Sequence, residues 1–369
     1  MKSNQELYRE RMDRMTKAIT LGMPDRVPTM AMIDAWAGTH RNGSMARLST
    51  NKLYSNKLIL ETARSFPELD MIEVSMAVPE TVGGSILCPV KLAGRELPEG
   101  SLWQVDEQER MTVADYDRIL KMGWKAWRTE YRKKHLRWGG YETFKLALGG
   151  MIASKRCVKA GIPEFSSVFV SLPLDPLAGG RSLSKFMSDL YRSPDKIQAV
   201  MDVMCADIIK ETKDLIKMTK PYSVFVGVAR GACSFLSPKL WNRFVWPYVV
   251  QTAEAVAATG TFVNLHFDGD WNRELERFKE LPKGKCVWAS DGGTDLYKLK
   301  AALDGHMCIK GAIPAGLMAM GTPDEVYAHC TQVLRDIGPR GFILSPACST
   351  PHNTPEANFR AMISAASGQ

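Results

Sequence analysis

Eight short apolar runs recur along this chain, most of them separated by stretches whose apolar residues repeat every three or four positions. The runs fall at 27–33, within 69–78, and at 167–173, 222–228, 261–267, 285–289, 307–313 and 341–346. Their length, their Val, Ile and Phe content and their Gly, Pro and Asp borders mark them as strands. The intervening periodicity predicts helices over 4–22, 49–66, 114–137, 183–191, 194–217 and 355–366, and one from Ser237-Pro238 through Trp241, Phe244, Tyr248 and Val256. Ser49 or Thr50 is the expected N-cap of the second helix, and Pro194 suits the first turn of the fifth. Strands alternating with helices predict an α/β fold, a (β/α)8 TIM barrel in one domain spanning 1–369, with an N-terminal helical extension. After the second strand, Gly and Pro punctuate short alternating pieces over 79–113. This reads as a hairpin excursion within an insertion at about 79–150.

In such barrels chemistry gathers where the strands end. The fifth run ends in His266-Phe267-Asp268-Gly269. Residues two apart on a strand share a side, so His266 and Asp268 can converge. Asp291 follows the sixth strand and Cys348 the eighth. A histidine and a carboxylate close in sequence, with a thiol from a distant strand end, would suit a catalytic zinc site with one open position. Hydrogen-bonding or acid–base work by the same residues is the alternative. Asp291 could be a further ligand, could fix the imidazole of His266 or act as an acid, or could simply be a turn residue before two glycines. Cys308 lies within the seventh strand, either as a buried thiol or as an alternative ligand beside Cys348. Arg230 follows the fourth strand and could bind a carboxylate or phosphate. Glu73 and Glu80 lie in and just after the second strand, where either could hold substrate, complete a metal shell or sit on the rim. Trp36, Met76, Phe169, Trp288, Met318 and Met320 could line a pocket for a flat substrate or belong to the core.

Composition narrows the class. The chain has 369 residues, 45% hydrophobic and 24% charged, as soluble globular proteins do. No apolar run approaches the roughly 20 residues of a membrane span, and the charged N-terminus lacks a secretory apolar core, so a cytoplasmic location is expected. The eight cysteines show no C-x-x-C pair and are expected as thiols. The net charge of +8 is densest at WRTEYRKKHLR, residues 127–137. That stretch is a solvated helix face or a docking surface for an acidic partner. No nucleic-acid motif accompanies the charge.

The segments GMPDRVP, LSPKLWNRFVWPYVVQTAEAVAATG, NLHFDGDW, ASDGGTDLYKLKAALDG, IKGAIPAGLMAMGTPDEV and GFILSPACSTPHNTPEANFRAMI, which together cover much of the chain, carry a resemblance. The pattern resembles the uroporphyrinogen decarboxylase superfamily, in particular its cobalamin-dependent methyltransferase branch. True decarboxylases of that superfamily carry an RQAGR-type motif near the N-terminus, where this chain reads AMIDAWAGTHRNG. The thiol and methanol-type methyltransferases bind zinc through His-x-Cys-Gly and a distal cysteine. Here His266 and Cys348 match, and Asp268 stands in place of the thiolate. The resemblance thus implies zinc on His266, Asp268 and Cys348, with Cys308 as alternative ligand and Asp291 orienting a ligand or supplying a proton. A carboxylate ligand leaves the metal more electrophilic and better suited to polarising an oxygen.

The expected activity is therefore a corrinoid-dependent methyltransferase, the first component of an O-demethylase. It would move methyl from a methoxylated aromatic donor to the cob(I)alamin of a separate corrinoid protein. Arg230, Glu73 and Trp36 are the expected substrate contacts. Thiol methylation, metal-free decarboxylation or lyase chemistry with Asp268 and Asp291 as acid and base, and non-catalytic binding of a corrinoid or pterin are the alternatives, and the sequence leaves room for a homodimer.

Overall fold

The computed structural model describes residues 2–74 and 76–368. All eight expected strands are present. They are β1 (Met30–Ala31), β2 (Met71–Ile72), β3 (Ser166–Ser171), β4 (Ser223–Val228), β5 (Phe262–Phe267), β6 (Cys286–Ser290), β7 (Cys308–Ile313) and β8 (Phe342–Pro346). Strands β3 to β8 pair in sequence order, all parallel. The parallel pair β1–β2 closes the ring. On one side the amide of Leu344 donates to Pro28 O at 2.9 Å and that of Thr350 to Met32 O at 2.7 Å; on the other, the amide of Phe165 donates to Ile72 O at 2.8 Å. The result is the predicted (β/α)8 barrel, and the C-terminal strand ends form one mouth.

The bottom of the barrel is apolar and plugged. Helix Asn4–Ile19 opens with a capping box, in which Ser3 and Glu6 satisfy each other's amides. It presses Met15, Ala18 and Ile19 against Met30, Met71, Phe165, Val287, Cys308 and Ile343. Above this plug lies a polar layer. Glu73 accepts from Lys310 Nζ at 2.8 Å and from Asn264 Nδ2 at 2.9 Å, and Asn264 Nδ2 also reaches Ser166 Oγ at 3.1 Å. Outside the plug, Asp70 ties the start of β2 to the N-terminal region through Arg26 at 2.8 Å and the amide of Thr29 at 2.9 Å.

Three predicted helices are cut differently, each for a local reason. The 49–66 helix is Lys52–Arg64, and its cap is Asn51, which accepts from the Tyr54 amide at 3.0 Å; Ser49 is buried in a separate short helix, Met45–Thr50. Gly123, at φ 84°, splits the 114–137 helix into Val113–Met122 and Trp124–His135. Pro247, in the first turn of Trp246–Ala257, cannot continue the ladder of Pro238–Phe244, so that helix breaks at Val245.

The stretch after β2 begins as a helix, Pro79–Ser85, before an antiparallel hairpin of Val90–Lys91 with Gln104–Val105. Helix Gly140–Ala160 then returns the chain to β3. The basic stretch at 127–137 turns Trp127 and Tyr131 inward, while Arg128 pairs with Glu211 at 2.8 Å and Arg132 donates to Gly84 O at 2.9 Å. No helix among the described residues is long and apolar enough to cross a membrane.

Candidate active site

A single extra residue in β3 shapes the lumen. Ser166 pairs with Ser223, but the next pairing is Val168 with Val224, so Ser167 is a bulge. A bulge re-aims the side chains beyond it. Ser166 therefore faces the lumen, its Oγ 2.9 Å from Ser223 Oγ, and Phe169 faces it too. The Phe169 ring stacks on Phe225 at 5.2 Å, and Phe225 lies 5.1 Å from the imidazole of His266. Gly227 makes room, since a β-carbon there would stand 3.4 Å from Phe169 Cζ. Phe169 remains 36% exposed, which is unusual inside a barrel strand. Phe169 and Phe225 form an aromatic wall that reaches solvent at one end and His266 at the other.

His266 is buried, and its Nε2 is the meeting point of the site. Asp268 Oδ1 lies 3.2 Å from it and Cys348 Sγ 3.7 Å. Burial disfavours the imidazolium, but the hydrogen bonds to Asp268 and Cys348 outweigh it and raise the pKa to about 9. The converse holds for Cys348: burial pushes the thiol up, and the histidine more than offsets that, leaving it below the ordinary thiol value. Nδ1 of His266 is buried without a partner among the described residues.

The turn that carries Asp268 is fixed by the loop after β6. Asp291 accepts from the amides of Gly269 and Gly293, both at 2.7 Å. Thr294 Oγ1 donates to Gly269 O at 3.0 Å and accepts from the Trp271 amide at 3.1 Å. Trp271 Nε1 donates to Asp268 O at 2.9 Å. Gly269 takes φ 84°, a conformation that favours glycine.

The structure brings His266, Asp268 and Cys348 together as the sequence predicts, and places Asp291 one step behind them as a positioning residue. Four expected roles change. Cys308 is at the wrong end of its strand: it starts β7, inside the bottom plug, and burial drives its thiol pKa up. Trp36 is a core residue, stacked on Phe359 at 4.3 Å and donating to Thr354 O at 2.8 Å. Trp288 and Met318 are likewise buried in the core, Met76 is buried beside Gly149 and Gly150, Met320 is exposed, and Phe169 is the member of that group that lines the lumen. Glu73 is consumed by Lys310 and Asn264 beneath the site. Arg230 does reach the mouth, where it is ion-paired to Glu107 of the insertion while its Nη1 is buried and unpartnered among the described residues.

Sequence reasoning missed Asp175, a buried carboxylate just past β3. It accepts from the amides of Ala229 and Arg230 at 3.1 and 2.9 Å, and burial raises it to about 6. The rule that picked Asp291, a carboxylate just after a strand, would also have found it. Phe225 was missed because alternation in YSVFVGV does not say which parity faces the lumen.

The donor set can be tested against zinc. A tetrahedral zinc with ordinary bond lengths separates a nitrogen from a sulfur ligand by about 3.6 Å and from an oxygen ligand by about 3.4 Å. The observed 3.7 and 3.2 Å match these two edges, and the N, O, S chemistry suits the metal. No group of three or more His, Cys, Asp and Glu side chains among the described residues already surrounds a common point. Zinc would thus have to draw Asp268 and Cys348 onto one centre from positions that both already touch Nε2.

Among solved structures the chain is similar to a methyltransferase from Methanosarcina mazei, with a TM-score of 0.70 at 13% identity, covering 97% of this chain and 98% of that one. At that identity the likeness speaks for the fold. No curated protein matches the sequence significantly. The uroporphyrinogen decarboxylase (URO-D) family model matches residues 177–368, more than half of the chain, a span that includes His266, Asp268, Asp291 and Cys348; the chain belongs to the uroporphyrinogen decarboxylase family.

Proposed function

We propose that this protein is a methyltransferase that takes a methyl group from a methylated small molecule, a methoxylated aromatic first among them. The acceptor would be the cob(I)alamin of a separate corrinoid protein. The observation that carries the reading is the meeting of Asp268 and Cys348 at His266 Nε2, beside the half-open aromatic wall of Phe169 and Phe225. His266, Asp268 and Cys348 would hold a zinc ion, which as a Lewis acid would polarise the donor oxygen. Phe169 would stack on a flat donor and exclude water from one face of it. Asp291 would keep the Asp268 turn in place through the Gly269 amide. The methyltransferase with the same fold supports the choice of reaction class by analogy only.

A second reading, metal-free decarboxylation, rests on the buried His266 beside Asp268 at 3.2 Å, a pairing that favours the protonated imidazole. In that reading Nε2 of His266, hydrogen-bonded to Asp268, serves as a proton donor. Metal content of protein prepared without chelator or metal-affinity tag separates the two. About one zinc per chain, lost on Cys348→Ser, is the expected result for methyl transfer. Metal-free wild type would overturn the zinc reading and leave the decarboxylase.

A further inference from the structure

Two buried polar atoms face each other's level inside the barrel, one just beneath the site and one in it. Asn264 and His266 stand two residues apart on β5, so both side chains enter the lumen, Asn264 one level deeper. Asn264 is fully buried, and its Oδ1 has no partner among the described residues; neither has Nδ1 of His266. Each is costly to leave unpaired, and an acceptor beside a ring nitrogen is a complementary couple.

The Asn264 amide is oriented from below. Its Nδ2 donates to Glu73 Oε1 at 2.9 Å and to Ser166 Oγ at 3.1 Å. Ser223 Oγ gives its one proton to Phe165 O at 2.7 Å. Ser166 Oγ therefore gives its own to Ser223, 2.9 Å away, and can only accept from Asn264. Glu73 is in turn held by Lys310 Nζ at 2.8 Å. Two acceptors thus claim the NH2 end of the amide, and the carbonyl end is left for the level above. There His266 directs Nε2 at Asp268 and Cys348. Whether Nε2 gives a proton or binds a zinc ion, Nδ1 is then the N–H that needs an acceptor.

We propose that Asn264 is a positioning residue for His266, its Oδ1 receiving the Nδ1 proton through one bridging water. Residues two apart on a strand are separated by about 6.6 Å. With the carbonyl turned upward, one water and two hydrogen bonds of about 2.8 Å span that gap. A buried water needs two or more polar partners, and the two orphaned atoms supply them. The Lys310–Glu73 ion pair then has a use: it locks the amide that fixes the tautomer and the plane of the imidazole. The inference rests on His266 working through Nε2, which the zinc reading and the decarboxylase reading share.

Nitrogen-15 NMR of the full chain with labelled histidine tests this, with His266→Gln identifying the signal. The wild type should show a His266 Nδ1–H that is hydrogen-bonded and protected from exchange. Asn264→Leu, close in shape but without the carbonyl, should move that proton upfield or lose it to exchange. Glu73→Gln combined with Asn264→Asp exchanges amide and carboxylate between the two positions. That double variant keeps the total charge, the hydrogen bond between the two side chains and an acceptor below His266, so it should keep the signal, which a merely space-filling role for Asn264 does not require. Zinc affinity, measured by competition with a chelator, should fall about ten- to a hundredfold in Asn264→Leu. A chain that binds no zinc would remove the zinc reading, and the Nδ1–H signal would still decide this one. An unprotonated or freely exchanging Nδ1 in the wild type would overturn the proposal, as would a signal unchanged in Asn264→Leu or lost in the folded double variant.

Discussion

The two ends of the barrel treat buried polar groups in opposite ways. At the bottom, Asp70 has both oxygens engaged: Oδ1 takes Arg14 at 2.5 Å and Arg26 at 2.9 Å, and Oδ2 takes Arg26 at 2.8 Å and the Thr29 amide at 2.9 Å. At the mouth, Asp34 Oδ1, Arg230 Nη1, His266 Nδ1 and Thr350 Oγ1 are buried with no partner among the described residues. Leaving such an atom unpaired costs about 1–3 kcal/mol. One end of the fold is arranged to be satisfied by itself. The other holds donors and acceptors in reserve, as a site that must meet something else does.

Breaking the satisfied end should have the largest effect. Asp70→Ala takes the one buried carboxylate from Arg14 and Arg26 and the partner from the Thr29 amide, leaving Arg14 with Asp25 and Arg26 with the Glu68 carbonyl, so the expected loss of stability is about 3–5 kcal/mol. The site lies at the opposite end, so any metal bound per folded chain should not change. Urea unfolding with an unchanged slope would locate the effect in the folded network. A midpoint within error of wild type would show that the Asp70 network is not what secures the bottom.

A smaller effect, of opposite sense, is expected at the mouth. Asp175 has a folded pKa raised to about 6 by burial, against about 3.9 when unfolded. The folded state therefore holds this proton more tightly than the unfolded state does. Its contribution is fully present below about pH 4 and is lost as pH rises through 6, amounting to about 3 kcal/mol. The stability of wild type minus that of Asp175→Asn should fall by about that amount between pH 4 and pH 7. A flat difference would mean that the amides of Ala229 and Arg230 stabilise the carboxylate well enough to cancel its burial.

The fold was legible because eight strands and their helices declare themselves locally, through apolar runs and their borders. The cuts at Gly123 and Val245 show the limit: a continuous helical pattern conceals a break made by one glycine φ or one proline amide. His266, Asp268 and Cys348 were legible because strand ends in a barrel share one mouth. Phe225 and the lumen-facing role of Phe169 were not, because parity in β3 depends on the bulge at Ser167, which only the pairing with β4 reveals. Cys308 misled for the same reason in reverse. Its residue type suits a ligand, but its place at the start of β7 puts it among the apolar plug.

The finest test of the mouth concerns a residue with no side chain. A β-carbon on Gly293 would stand 2.7 Å from Gly269 C, 2.8 Å from Gly269 O and 3.0 Å from Gly269 Cα. These are backbone atoms and cannot swing aside, so Gly293→Ala must push the Asp268–Gly269 turn away from the loop after β6. That turn also hangs on Asp291 and Thr294, whose hydrogen bonds would lengthen with it. Asp268 would then drift from the 3.2 Å contact with His266 while His266 and Cys348, on β5 and after β8, stay where they are. A displacement of a fraction of an ångström should lower kcat by about tenfold, since a full ångström can cost about a hundredfold. KM should move less, because the Phe169 and Phe225 wall belongs to strands that the change does not touch. A variant with wild-type kcat would show that the position of Asp268 is not critical. A variant that loses KM and kcat together would show that the loop after β6, and not the aromatic wall, holds the donor.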